Sequence, residues 1–395
     1  MSSPDLTAAD VAAVNDVLET RYLSLGPQLV AFEEAFAAAV GVRHAVGVNS
    51  GTSGLHLSVI AAGIEENDLV ITTPFSFIAS ANCVLFERAI PIFVDVDPQT
   101  LNIDPAQVAQ AADHLSRGGD AAKRWLPPAI RNSQCASRHL KAILPVDAFG
   151  QPADYDAIRA VAVEHDLWVI EDSCEAIGAT YKGRPAGTLG DAAVFAFYPN
   201  KQITAGEGGM IVTDRDDWAA LFRSLRNQGR DVFDAWLNHT RLGYNYRLDE
   251  MSAALGLSQL KRIEELLEKR ERVAGWYKQR LAGVEGIQVP YVAPSTTRMS
   301  WFVYVVRIAP AMGCIAPAMG RDRVMQALKA RGIPSRPYFT PIHLQPFYRE
   351  RFGYQRGRFP VTEMAGDTCL ALPFSGVMEE RQVDRVCAVL RDALT

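Results

Sequence analysis

The sequence predicts an α/β protein with a mostly parallel sheet in a large domain and a small α+β domain at its C-terminal end. Three observations predict it. The chain has 395 residues, more than one ordinary hydrophobic core organises. Apolar runs of strand length alternate with runs of helical periodicity through the first half of the chain. That βαβα rhythm belongs to a largely parallel sheet covered on both faces. A long helical stretch then leads into a C-terminal part of mixed strands and helices. The expected division is 1–250 for the large domain, 251–283 for a connecting helix and 284–395 for the small domain.

Thr7 opens the first helix, with Asp10 placed as a partial capping box. A second helix is expected over 28–40, a strand over 44–48 and a helix over 52–62 stopped by Gly63. A strand over 69–73, a helix over 76–87 and a strand over 91–96 follow. Asp104 then Pro105 start another helix as N-cap and first helical residue. Residues 116–139 are polar, carry Gly118-Gly119 and Pro127-Pro128, and read as a surface insertion. The rhythm resumes with strands at 142–146 and 167–171 around a helix at 154–165. A buried strand over 192–198, a tight polar turn and a strand over 209–213 come next, then a helix over 216–227. Leu255, Leu260, Ile263 and Leu267 lie at helical spacing within one expected helix, 248–281. Beyond it, strands are expected at 302–308 and 335–339 and helices at 321–330 and 379–394. Between them, IAPAMGC and IAPAMGR make a short loop duplication.

Composition narrows the function. Hydrophobic residues make up 48% of the chain and charged residues 22%, and the net charge is −5 without a dense basic run. Nucleic acid and an anionic membrane surface are therefore not expected as partners, although a local site for a small anion is compatible. Residues 1–20 lack the pattern of a signal peptide, and no apolar run is long enough to span a bilayer. The six cysteines are scattered, as in a reduced cytoplasmic protein, and with the seven histidines they show no metal-ligand spacing. There is no Walker A sequence and no G-x-S-x-G.

Four stretches carry chemistry. In FYPNKQITAGEGG, Lys201 sits between two apolar strands and is followed by Gly206, Gly208 and Gly209. Apolar walls would disfavour its ammonium and make it a nucleophile for carbonyls; the plainer alternative is a solvated hairpin lysine. In NSGTSGLHL, Thr52 and Ser53 open a helix and could offer N–H and hydroxyl groups to a phosphate, or simply cap it. Asp172, in WVIEDSCEAIGA, ends a buried strand. Ligands of open α/β sheets collect there, and a carboxylate needs a positive partner, whether a pyridinium or an Arg or Lys. Phe77, in TPFSFIASAN, follows a strand and could cover a flat ring or join the core. Amine, carboxylate, helix N-terminus and ring together describe a site for pyridoxal 5′-phosphate (PLP).

These stretches, with SLGPQLVAFEEAFA, PIFVDVDPQTLNIDP, LGYNYRLDEMSAALG and PYFTPIHLQPFY, run in order along nearly the whole chain. The sequence resembles the DegT/DnrJ/StrS family of PLP-dependent nucleotide-sugar aminotransferases. The resemblance implies an aspartate-aminotransferase-like fold (PLP fold type I) and a cytoplasmic homodimer with shared active sites. It also implies amino transfer from L-glutamate to a keto group of a nucleotide-linked, 4-keto-6-deoxy sugar. A cyclitol or other keto-sugar aminotransferase, and a non-catalytic regulatory protein on this fold, stand as alternatives. By resemblance, Lys201 bonds the cofactor, Asp172 partners its ring nitrogen, and Thr52 and Ser53 meet its phosphate. Phe77 stacks on the ring, Asn245 reaches the phosphate from the neighbouring subunit, and His343 lies on the substrate side. Glu175 stands beside the cofactor's phenolic oxygen where many members have Gln, which implies a protonated or averted carboxyl. Ala196 and Asp147 replace a common Ser and His.

Overall fold

The computed structural model describes residues 2–131, 138–231, 238–309 and 317–394. Its largest sheet has seven strands in the order His44–Val48, Gly209–Thr213, Ala192–Ala196, Trp168–Asp172, Leu140–Leu144, Leu69–Thr72, Ile90–Phe93. Gly209–Thr213 is antiparallel to both neighbours, and every other pairing is parallel. Alternation along Ala192–Ala196 sends side chains to two cores. Val194 packs with Leu55, Ile211 and Phe222 on one face. Phe195 and the following Phe197 meet Phe32 and Phe36 of the helix Pro27–Val40 on the other. This is the doubly covered sheet expected from the rhythm.

A second, antiparallel sheet joins Ile287–Gln288, Tyr304–Ile308, Cys369–Leu372 and Arg336–Pro337. The helices Ile263–Leu281 and Glu380–Asp392 contribute Tyr277, Val383 and Leu390 to its core. Thr296–Arg298, Thr180–Tyr181 and Arg184–Pro185 form a third, small sheet.

Several local expectations need correcting. The single helix over 248–281 is two, Glu250–Leu260 and Ile263–Leu281. The chain turns at Arg262, whose guanidinium is tied to Asp5, Asp10 and Glu265. The helix is interrupted there despite a continuous apolar period. The helix expected from residue 76 starts at Ala79, because residues 73–78 run as a loop with Ser76 buried and Phe77 exposed. The insertion at 116–139 is not all surface: Trp125 and Leu126 are buried beside Val108 and Tyr155, and the indole N–H donates to His114 at 3.0 Å. The tight polar turn before Gly209 is a packed loop over 197–208, with Gln202, Ile203, Thr204 and Ala205 buried. Half of the duplicated heptapeptide, residues 310–316, lies outside the described residues.

Candidate active site

The parallel strands end on one side of the sheet, and a cavity of about 490 Å³ opens there. Ser50 caps the helix Gly51–Ala61, its Oγ accepting the Ser53 N–H at 3.1 Å, and the Gly54 N–H bonds the Ser50 carbonyl. The first N–H groups of a helix have no intrahelical acceptor. Those of Gly51 and Thr52 therefore remain available in the cavity wall that both residues line. The turn seats closely on the sheet end. A Cβ on Gly51 would lie 2.8 Å from Cys174 Sγ and 2.9 Å from Ala196 Cβ, and one on Gly209 would lie 2.7 Å from the Ser50 carbonyl carbon.

Lys201 lies in the 197–208 loop, with its side chain 12% exposed. Its Nζ stands 3.7 Å from Glu175 Oε1 and 4.0 Å from the centre of the Phe302 ring. Glu175 Oε2 accepts the Phe149 N–H at 2.9 Å. Burial pushes the Glu175 carboxyl pKa up, and the Lys201 charge opposes that rise. The carboxyl thus lines the cavity. Asp172, at the end of its strand, is 5% exposed. Oδ2 accepts from Ser80 Oγ at 2.7 Å, and Oδ1 has only a long bond of 3.3 Å from the Cys174 N–H. Phe77 lines the same cavity with 65% of its surface exposed.

Lys201, Asp172, Glu175, Thr52 and Phe77 thus meet at one cavity; Ser53 and His343 do not line it, nor does Asn245, which was expected to reach the phosphate of a neighbouring subunit. Ser53 is engaged in the cap and donates its hydroxyl to Asn49 Oδ1 at 2.7 Å. Asn245 is exposed, on a segment whose flanking Tyr244 and Tyr246 stack with ring centres 5.0 Å apart. His343 is fully buried, with Nε2 3.0 Å from Glu363 Oε1, and burial lowers its pKa. The sequence reading missed Ser50, Ser80, Phe302 and Tyr338. The Ser50-to-Ser53 spacing carries a capping signal. Nothing local marks Phe302, since only packing brings it to Lys201.

Behind the cavity lie two further buried acids. Asp147 accepts from Tyr155 OH at 2.9 Å, Ser173 Oγ at 2.7 Å and the Ala153 N–H at 3.0 Å. Burial raises its pKa to about 7. Glu171 accepts the Gly187, Leu189 and Gly190 N–H groups, and burial, aided by the Asp147 charge, raises its pKa to about 8.

An amine, a carboxylate with spare acceptor capacity, two free helix N–H groups and an uncovered ring fit a phosphorylated pyridine aldehyde. No group of His, Cys, Asp and Glu suited to a metal ion occurs among the described residues. The fold and the cavity at the strand ends define an aminotransferase of PLP fold type I. The profile of the DegT/DnrJ/EryC1/StrS aminotransferase family matches residues 4–391, and the chain belongs to that family. PLP is its cofactor. GDP-perosamine synthase of Caulobacter vibrioides is 39% identical over 396 residues, covering 100% of this chain and 98% of the relative. DesV of S. venezuelae, solved in complex with a ketimine intermediate, superposes with a TM-score of 0.84 at 33% identity over 98% of this chain and 94% of its own. DesI, solved in the presence of its TDP-sugar product, gives 0.83 at 32% identity over 99% and 92%.

Proposed function

We propose that this aminotransferase moves the amino group of L-glutamate to a keto group of a nucleotide-linked 4-keto-6-deoxy sugar. The observation that carries the chemistry is the convergence of Lys201, Asp172 and the Gly51–Thr52 N–H groups on one cavity. The substrate class rests on the relatives, one named for a GDP-sugar product and one solved with a TDP-sugar. PLP supplies the electron sink for negative charge at the donor's α-carbon. Lys201 would hold the cofactor's aldehyde carbon until the donor's amino group displaces it, and its freed amine would then take up the donor's α-proton as base and deliver it as acid. Asp172 keeps the proton on the ring nitrogen. The Gly51 and Thr52 N–H groups bind the phosphate, with Ser53 holding the turn in shape. Phe77 covers the ring. Glu175, 3.7 Å from the Lys201 amine in the cavity wall, would stand beside the phenolic oxygen. His343 supports the substrate-side loop from beneath through Glu363.

Asn245, exposed and away from its own cavity, serves the phosphate of a second subunit in a cytoplasmic homodimer with shared sites. We also retain 1–250, 251–283 and 284–395 as the domain division. The test of the reaction is direct. The PLP-loaded enzyme should lose its visible band on adding glutamate and release 2-oxoglutarate. Mass spectrometry should then find an amino sugar from one of a panel of nucleotide keto sugars. Aminated cyclitol with no nucleotide sugar consumed would overturn the substrate class, and a band unmoved by glutamate would overturn the donor. For the shared site, inactive Lys201→Ala and Asn245→Asp chains refolded together should recover about a quarter of wild-type activity under random assortment. Mixed dimers without activity would refute it.

A further inference from the structure

Arg270, on the helix Ile263–Leu281, is 4% exposed. Its Nη2 donates to the Lys201 carbonyl at 2.6 Å and the Asn200 carbonyl at 3.3 Å. Its Nη1 donates to the Trp301 and Phe302 carbonyls, both at 3.2 Å. Among the described residues no carboxylate pairs with it, and burial alone lowers its pKa to about 10. The Phe374 ring has its centre 5.8 Å from its guanidinium carbon.

A guanidinium buried without a counter-ion is an expensive way to fill a core, and an apolar side chain of similar volume would serve stability as well. What the planar fork provides is simultaneous, directional bonding to several acceptors. Here the acceptors belong to two segments far apart in sequence. One carries Lys201 and the other carries Phe302, whose ring faces the Lys201 amine at 4.0 Å. Gln202 secures the opposite side. Its Nε2 donates to the Glu175 carbonyl at 2.6 Å and to Ser300 Oγ at 2.7 Å. The amine is thus held between Glu175 and Phe302 by a backbone network that Arg270 closes.

We infer that Arg270 is the positioning residue for Lys201, fixing the lysine loop and the Phe302 ring relative to each other through four carbonyl groups from two segments. The inference rests on the proposal that Lys201 bonds the cofactor. Arg270 touches no reacting atom; it sets where the amine stands. A lysine at 270 keeps the charge but its single ammonium cannot span both segments. Arg321 provides a matched control. It is 7% exposed and donates to the Gly366 and Cys369 carbonyls at 3.1 and 3.2 Å, neither on the segments that carry Lys201 and Phe302, and unlike Arg270 it also pairs with a carboxylate, Asp322, at 2.6 Å.

The test is stopped-flow mixing of apoenzyme with PLP, without turnover, for wild type, Arg270→Lys, Phe302→Leu and Arg321→Lys. The dependence of rate on PLP concentration separates initial binding from appearance of the visible band, which reports capture by the amine. Arg270→Lys should slow the capture step at least about tenfold, with initial binding changed less than about twofold, because small misplacement of a reacting group is costly. In steady state kcat should fall while KM for glutamate holds. Arg321→Lys should lower Tm and leave capture unchanged. Capture at the wild-type rate in folded Arg270→Lys, or slowing no greater than in Arg321→Lys, would overturn the inference. If Arg270→Lys does not fold, Phe302→Leu decides: slowed capture supports the placement, and wild-type capture overturns it. A wild-type enzyme whose band does not map to Lys201 after borohydride fixation and peptide mass spectrometry would instead refute the proposed role of Lys201.

Discussion

Glu171 and Asp172 are neighbours at the end of one strand, and their surroundings differ sharply. Glu171 points behind the sheet end, is fully buried, and accepts three backbone N–H groups from the 187–190 turn. Asp147, beside it, is satisfied by a phenol, a hydroxyl and an N–H. Asp172 points to the cavity and has one short bond, from Ser80, and one long one, from Cys174. Two adjacent residues of like chemistry thus have opposite tasks. The acids behind the sheet end have filled acceptor capacity and hold the fold. The acid at the cavity has capacity to spare, and so does the amine beside it. An incompletely satisfied buried group is destabilising on its own, and in the proposed reading the cofactor's ring nitrogen would complete the network at Asp172.

The comparison can be broken from either side. The largest effect should come from Lys201→Ala, with turnover lost and the melting temperature of the apoenzyme little changed. Steady-state assay and thermal melts check this, and residual wild-type turnover would remove Lys201 from the chemistry. Asp172→Asn should lower the single-turnover rate with glutamate by about a thousandfold, since a neutral amide cannot hold the ring nitrogen's proton. Apoenzyme stability should be retained or improved, because an incompletely paired buried charge is removed. A large loss of stability with near-normal rates would make Asp172 structural, like its neighbour.

Glu171→Ala should show the reverse pattern. Leaving three buried N–H groups without an acceptor should cost about 3–5 kcal/mol in urea unfolding, while protein that remains folded binds PLP normally. An unfolding free energy within about 0.5 kcal/mol of wild type would contradict a structural role.

A fourth test concerns pH. Asp147 and Glu171 titrate near 7 and 8 in the fold, above their ordinary values of 3.8 and 4.5. Between these limits the native state holds protons that the unfolded chain has released. Their contribution is therefore full below about pH 4 and is lost as pH rises through 7 to 8. Apoenzyme stability should fall from about pH 5 to about pH 8, and Asp147→Asn, which can keep its partners, should flatten the slope. An unchanged slope in that variant would assign the pH dependence elsewhere.

Much of this site was readable along the chain because it is built at strand ends. A buried strand announces itself by composition, and the residue at its end must lie at the sheet edge, which located Asp172. The Asn49–Leu57 stretch announced a helix N-terminus, and the apolar flanks of the loop located Lys201. The long helix misled because its apolar period runs on across the break at residues 261–262. The polar insertion misled because two aromatic or apolar residues, Trp125 and Leu126, are enough to anchor it in the core. Neither event leaves a local trace.

By itself the sequence determined the order of elements, the faces they bury and the strand ends where chemistry collects, since those follow from period and from residues within a few positions. Only the tertiary structure decided which distant groups meet there. Phe302 faces Lys201, Ser80 bonds Asp172, and Arg270 joins the carbonyls of residues 31 to 70 positions away. It also put Asn245 on the surface and His343 in the core. The physical reason is range. Backbone sterics and side-chain alternation act between near neighbours, whereas a hydrogen bond or ring contact across the fold exists only once separate layers have packed.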